Sequence, residues 1–64
     1  MDDVVTLEGK IEAETPKAFL VEFTAGPKVW IPKSQVREHV LRDREEMLYD
    51  FTITEWIAKK NDLV

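Results

Sequence analysis

The feature of this chain that most invites chemistry is an aromatic ring set between two ammonium groups, in the run Lys28-Val29-Trp30-Ile31-Pro32-Lys33. In a strand, Lys28, Trp30 and Pro32 share one face and Val29 and Ile31 share the other. If the aliphatic pair is core, the indole points outward. It can then stack a nucleobase while Lys28 and Lys33 hold phosphates, the mechanism used on single strands. Arg37 stands close enough in sequence to extend that surface, as do Lys17, Arg42, Arg44, Lys59 and Lys60, although each has acidic neighbours. The competing expectation is that Trp30 covers one end of the fold together with Trp56, because large aromatics usually serve a core. Spacing does not choose between the two.

Other chemistry is poorly represented. The chain has one serine, Ser34, one histidine, His39, and no cysteine. Ser34 and His39 are five positions apart, which does not dictate a hydrogen bond between them, so a nucleophile and base pair is not expected. Glu8, Glu12, Glu14 and Glu22 fall on neighbouring extended segments and could serve as acid and base, but carboxylates alternating with apolar positions are normally the wet face of a sheet. His39 has no second histidine or cysteine at ligand spacing, and Asp2-Asp3 is a generic acidic pair, so no metal is expected. With only Gly9 and Gly26, there is no glycine-rich phosphate loop. The expectation is a protein that is not an enzyme and carries no cofactor.

Length and charge narrow the remaining classes. A chain of 64 residues supports one small core, so residues 1–64 are read as a single domain. Such a chain buries only about 60% of the surface it exposes when unfolded, so a binding site should be an open surface rather than an enclosed cavity. Thirteen acidic residues against nine basic ones give a net charge of -4, which opposes non-specific attraction to duplex DNA. It weighs less against single strands, where a local basic groove and stacking decide. The lack of cysteine fits a reducing compartment, no segment reads as a secretory signal, and no apolar run approaches a membrane span, so a cytoplasmic location is expected.

The elements that must position these residues are mostly extended. Val5, Leu7, Gly9, Ile11 and Ala13 alternate with Thr6, Glu8, Lys10 and Glu12, which predicts a first strand over 4–13, with Gly9 marking a sharp bend or a close approach of another backbone. Glu14-Thr15-Pro16-Lys17 predicts a turn. A strand over 18–24 follows, with Phe19, Val21 and Phe23 on one face and Ala18, Leu20 and Glu22 on the other. Ala25-Gly26-Pro27 reverses the chain into a third strand over 28–31. Val36, Val40, Arg44 and Leu48 share a helical face, yet Val36, Val40 and Met47 also suit a hairpin. The alternation of Met47, Tyr49, Phe51 and Ile53 favours the hairpin, because that strand needs a neighbour, supplied by 36–41 across an exposed 42–46 loop. Thr54 is expected to cap a two-turn helix starting at Glu55 and ending at Asn61, with Trp56 and Ile57 plugging one end of the fold. The predicted fold is mainly β: a small five-stranded antiparallel β-barrel, SH3-like or OB-like, with a short C-terminal helix.

The segments Lys17-Ala18-Phe19-Leu20-Val21-Glu22, Val29-Trp30-Ile31-Pro32-Lys33-Ser34-Gln35-Val36 and Thr54-Glu55-Trp56-Ile57-Ala58-Lys59-Lys60 resemble those of short uncharacterised proteins of phages, prophages and other mobile elements. That resemblance runs from about Leu7 to the C-terminus and implies a small β-barrel module with a flavour of nucleic-acid handling. It transfers no catalytic residue. Within it, Ser34 is expected to cap a turn after Pro32. The stretch between Val36 and Phe51 is longer and more charged than in the proteins resembled. The functional expectation is a non-enzymatic binding module for single-stranded nucleic acid through Lys28, Trp30, Lys33 and Arg37. The alternative is a protein-interaction module or phage-encoded inhibitor that docks on a host or viral protein, and a homodimer through edge strands is a third expectation.

Overall fold

Period-two alternation governs most of the chain, and the computed structural model, which describes residues 3–64, is accordingly one antiparallel sheet and a short helix. The strands are β1 (Val4–Glu14), β2 (Ala18–Phe23), β3 (Lys28–Pro32), β4 (Val36–Asp43) and β5 (Leu48–Thr54), followed by α1 (Glu55–Lys60). Their order is β3-β2-β1-β5-β4, so β3 and β4 are the edges. A 3-10 turn, Lys33–Gln35, carries the chain from one edge strand directly to the other. Among the described residues no helix is long and apolar enough to cross a membrane. Asp2 of the acidic pair lies outside the described residues.

Gly9 makes the long central strand possible. Residues Val4 to Gly9 of β1 pair with β5, and Gly9 to Glu14 pair with β2, so this one residue faces Phe23 on one side and Tyr49 on the other. A Cβ at Gly9 would sit 2.8 Å from Val21 Cγ1 and 2.9 Å from the Glu22 carbonyl oxygen. The close approach that the sequence suggests is therefore real, and only glycine fits it.

The core follows the alternation. Phe19, Val21, Phe23, Ile31, Phe51, Ile53, Ile57 and Ala58 are buried, with Val5, Leu7, Ile11, Val29, Val36, Tyr49 and Leu63 packed against them. One residue breaks the pattern: the β1–β2 register slips between Ile11 and Ala13, so Glu12 is the extra residue of a bulge. The slip moves Ala13 off the inner face and opposite Leu20, where it is exposed. It also turns Glu14 opposite the buried Phe19.

The turns use local hydrogen bonds. Thr15 Oγ1 accepts from the amides of Lys17 and Ala18 at 3.3 and 3.0 Å, closing the first hairpin. Residues 36–48 do form a hairpin, with β4 running two residues further than expected. Asp43 Oδ1 accepts from the amides of Glu45 and Glu46, and Met47 takes a φ of 54°, leaving the Met47 side chain exposed instead of inside the strand.

Helix α1 begins as the sequence implies, with Thr54 Oγ1 accepting from the Ile57 amide. Its end is a Schellman arrangement: Leu63 N–H donates to Ala58 O, Asp62 N–H donates to Lys59 O, and Asp62 takes the left-handed turn at φ 56°. That turn brings Leu63 onto the core. Ile57 and Ala58, not Trp56, seal the helix against the sheet; Trp56 is 60% exposed, with Lys60 Nζ 5.0 Å above its ring. On a helix this short, the buried face is set by the path of the chain leaving β5, which brings positions 57 and 58 inward and leaves 56 outside.

Candidate interaction surface

Alternation on β3 decides where the aromatic goes. Ile31 is fully buried, Val29 packs against the core, and Trp30 between them lies on the outer face, 49% exposed. Its cross-strand partner on β2 is Leu20, and Leu20 in turn pairs with Ala13, which the bulge has turned outward. Three strands thus contribute one apolar row, Ala13–Leu20–Trp30, across the outside of the sheet. Beside it, Lys28 Nζ lies 3.8 Å from Glu12 Oε1, and Glu22 sits opposite Lys28 in the ladder.

Lys33 does not join this row. Once Pro32 ends the ladder, the 3-10 turn rotates the chain, and the Lys33 ammonium lies 4.8 Å over the ring of Phe19, on the core side of β2. There it donates to Glu14 Oε2, the carboxylate that the same bulge turned inward. Arg37 donates to the Ser34 carbonyl at 2.6 Å, which pins it to the turn and away from Trp30's own strand. The Ser34 hydroxyl does not cap the turn: the capping position is Pro32, which has no side chain able to accept. Of the four residues singled out in the sequence, Lys28 and Trp30 share a face, Lys33 lies on the opposite one, and Arg37 belongs to the corner between β3 and β4.

A second feature escapes the sequence. Ile11, Glu14, Phe19, Lys33, Val36, His39 and Tyr49 line an open cleft of about 420 Å³ on the core side of the sheet. His39 is exposed on the edge strand but leans on the aromatic core, 5.3 Å from Phe19, 5.9 Å from Tyr49 and stacked 6.3 Å from Phe51 between ring centres. The alternation that places Phe19, Tyr49 and Phe51 inward could have indicated the aromatic lining. The partner His39 comes from β4, which shows no apolar alternation to fix its register.

No protein-family model, curated protein or solved structure matches this chain.

Of Glu8, Glu12, Glu14 and Glu22, the first three are engaged on the surface. Glu8 accepts from the Thr24 hydroxyl at 2.8 Å and faces Arg42 Nη1 at 3.4 Å, Glu12 faces Lys28, and Glu14 faces Lys33. Among the described residues, no group of three histidine, cysteine or acidic side chains gathers where a metal ion could be held.

Proposed function

We propose that this protein is a non-enzymatic binding module that docks on another protein through the outer face of β1, β2 and β3, with Trp30 as its anchor. The observation that carries this reading is the apolar row Ala13–Leu20–Trp30, half-buried at Leu20 and exposed at Ala13 and Trp30, with the Lys28–Glu12 ion pair at its rim. An apolar centre inside a charged rim is the ordinary anatomy of a protein interface, and tryptophan is among the side chains that most often dominate one. The acidic balance of the chain favours a partner whose facing surface is basic.

The scaffold that serves this role is proposed to be a small, partly open barrel of the SH3-like or OB-like kind. Its support is the direct passage between the two edge strands through the Lys33–Gln35 turn, and the packing of Ile57 and Ala58 into the common core.

A second reading, single-stranded nucleic acid, has one observation in its favour: the Trp30 ring is exposed beside Lys28 on one face. Against it, each lysine of the motif already faces a carboxylate, so a phosphate would have to displace Glu12 or Glu14 to be held.

Two experiments separate these readings. A photo-crosslinking side chain at position 28, on the Trp30 face and with Trp30 intact, should capture a discrete protein in cells, should lose it when Trp30→Ala is added, and should capture none from position 56. A labelled single-stranded oligonucleotide titrated at low salt should show no saturable binding. Salt-sensitive binding that disappears in Trp30→Ala would overturn the protein-docking reading in favour of the nucleic-acid one.

A further inference from the structure

We infer that β4 pairs with β4 of a second copy, antiparallel about a two-fold axis through Val40, so that two sheets join edge to edge. Three observations lead there. First, β4 is an edge strand of eight residues, and every one after Val36 is exposed. Such an edge offers a free row of backbone donors and acceptors. Second, it exposes aliphatic side chains where a lone edge strand is usually blunted by charge, with Val40 51% and Leu41 38% accessible.

Third, the sequence Glu38-His39-Val40-Leu41-Arg42 is complementary to itself when reversed about Val40. In that register Val40 meets Val40, His39 meets Leu41 and Glu38 meets Arg42 of the other copy. The two-fold frames centred on the neighbouring residues are poorer matches: one about His39 sets Val40 against Glu38, and one about Leu41 sets Val40 against Arg42, so each gives up the Val40 pair and the Glu38–Arg42 pairs together. A two-fold contact of this kind is self-limiting, because pairing consumes the edge that made it.

Residues Glu38 to Leu41 run in regular register on β5, which leaves a straight stretch centred near Val40, and Arg37 and Arg42 are the extra residues of the irregularities that bound it. Arg42 lies on the same face as Val40, since it reaches Asp50, the ladder partner of Val40. It holds Glu8 and Asp50 through Nη1 alone, so Nε and Nη2 are available to a Glu38 carboxylate from the second copy. The other edge is a poorer candidate, because β3 has five residues and ends in a proline that cannot donate. Pairing through β4 leaves Trp30, on that other edge, outside the dimer contact.

The test is solution mass by sedimentation equilibrium on the full chain, with two single variants and their mixture. Wild type should show twice the chain mass at high concentration. Val40→Lys and Val40→Glu each place like charges on the two-fold axis and should weaken self-association by about tenfold or more. An equimolar mixture of the two should recover the dimer, because Lys then meets Glu. Circular dichroism of each variant checks that this exposed position leaves the fold intact. A wild-type monomer at about 1 mM, where even weak pairing would be populated, overturns the inference. So does a dimer that Val40→Lys and Val40→Glu leave at wild-type strength, or a mixture of the two that stays monomeric.

Discussion

Thr54 Oγ1 donates to Gln35 Oε1 at 2.6 Å and accepts from the Ile57 amide at 3.3 Å, so one hydroxyl joins the 3-10 turn, the end of β5 and the start of α1. Thr54 is the one buried polar residue among those described, and none of the buried side-chain polar atoms there lacks a partner. Gln35 belongs to the Val29–Val36 segment and Thr54 to the Thr54–Lys60 segment, far apart in the chain. Their meeting gives both segments a structural purpose.

Replacing Thr54 by valine keeps the shape and removes both bonds. The expected cost is about 1–2 kcal/mol, combining a lost helix cap with a glutamine that must find water instead. Thr54→Ser retains the hydroxyl and should lose less than half as much. Urea unfolding of the two variants checks this, and equal losses would mean that the methyl group, not the hydroxyl, matters at this site.

The two glycines should respond in opposite directions. Gly9→Ala forces a methyl group to within 2.8 Å of Val21 Cγ1 and 2.9 Å of a backbone oxygen, an overpacking expected to cost about 1–3 kcal/mol. At Gly26 the nearest atom to a new Cβ is Leu63 Cδ2 at 3.5 Å, and the backbone is not left-handed. Gly26→Ala should be neutral or stabilising by up to about 1 kcal/mol, through the unfolded chain. Thermal unfolding ranks the pair, and a Gly9→Ala protein as stable as wild type would contradict the close strand crossing.

Trp30 should matter little to folding. It stands on the outer face against Leu20, so Trp30→Ala is expected to cost about 1 kcal/mol or less, whereas Phe51→Ala, fully buried among Phe19, Phe23 and Tyr49, should cost about 3–5 kcal/mol. Comparable losses for the two in denaturant titrations would place Trp30 in the core and remove the basis of the docking surface.

Lys59 donates to Glu55 at 2.8 Å along the helix, and that hydrogen bond, with the attraction of the same carboxylate, raises its pKa above the usual 10.5. Because the folded value is the higher one, the pair's small contribution is present below pH 10.5 and is lost as pH rises through the raised value. Lys59→Gln should therefore flatten this part of the alkaline decline in stability. Added salt should mask the difference, since both side chains are accessible. An alkaline limb identical in the two proteins at low salt would contradict it.

The sheet was legible wherever one face is buried. Val5, Leu7, Phe19, Val21, Phe51 and Ile53 alternate with polar neighbours because each strand separates a core from solvent, and that periodicity marks β1, β2 and β5 in the sequence. It fails at β4, an edge exposed on both faces after Val36, where charge and valine spacing fit a helix equally well. It fails again at Ala13, because a bulge reverses the alternation and no residue type announces it.

The site was half legible for the same reason. The outward turn of Trp30 follows from Val29 and Ile31 being core, but a pattern along one strand says nothing past the proline that ends it. Lys33, three positions from Trp30, therefore stands on the opposite side of the sheet over Phe19. The inward-facing Glu14 that holds it is another consequence of the bulge.

Anchoring of a protein partner by Trp30 can be measured by calorimetry with the purified protein captured from position 28. Trp30→Ala should lose about 2 kcal/mol or more of binding free energy, about 30-fold in affinity, while Trp56→Ala, at a more exposed tryptophan on α1, stays within about twofold of wild type. Equal affinity for wild type and Trp30→Ala, or a loss confined to Trp56→Ala, would contradict it.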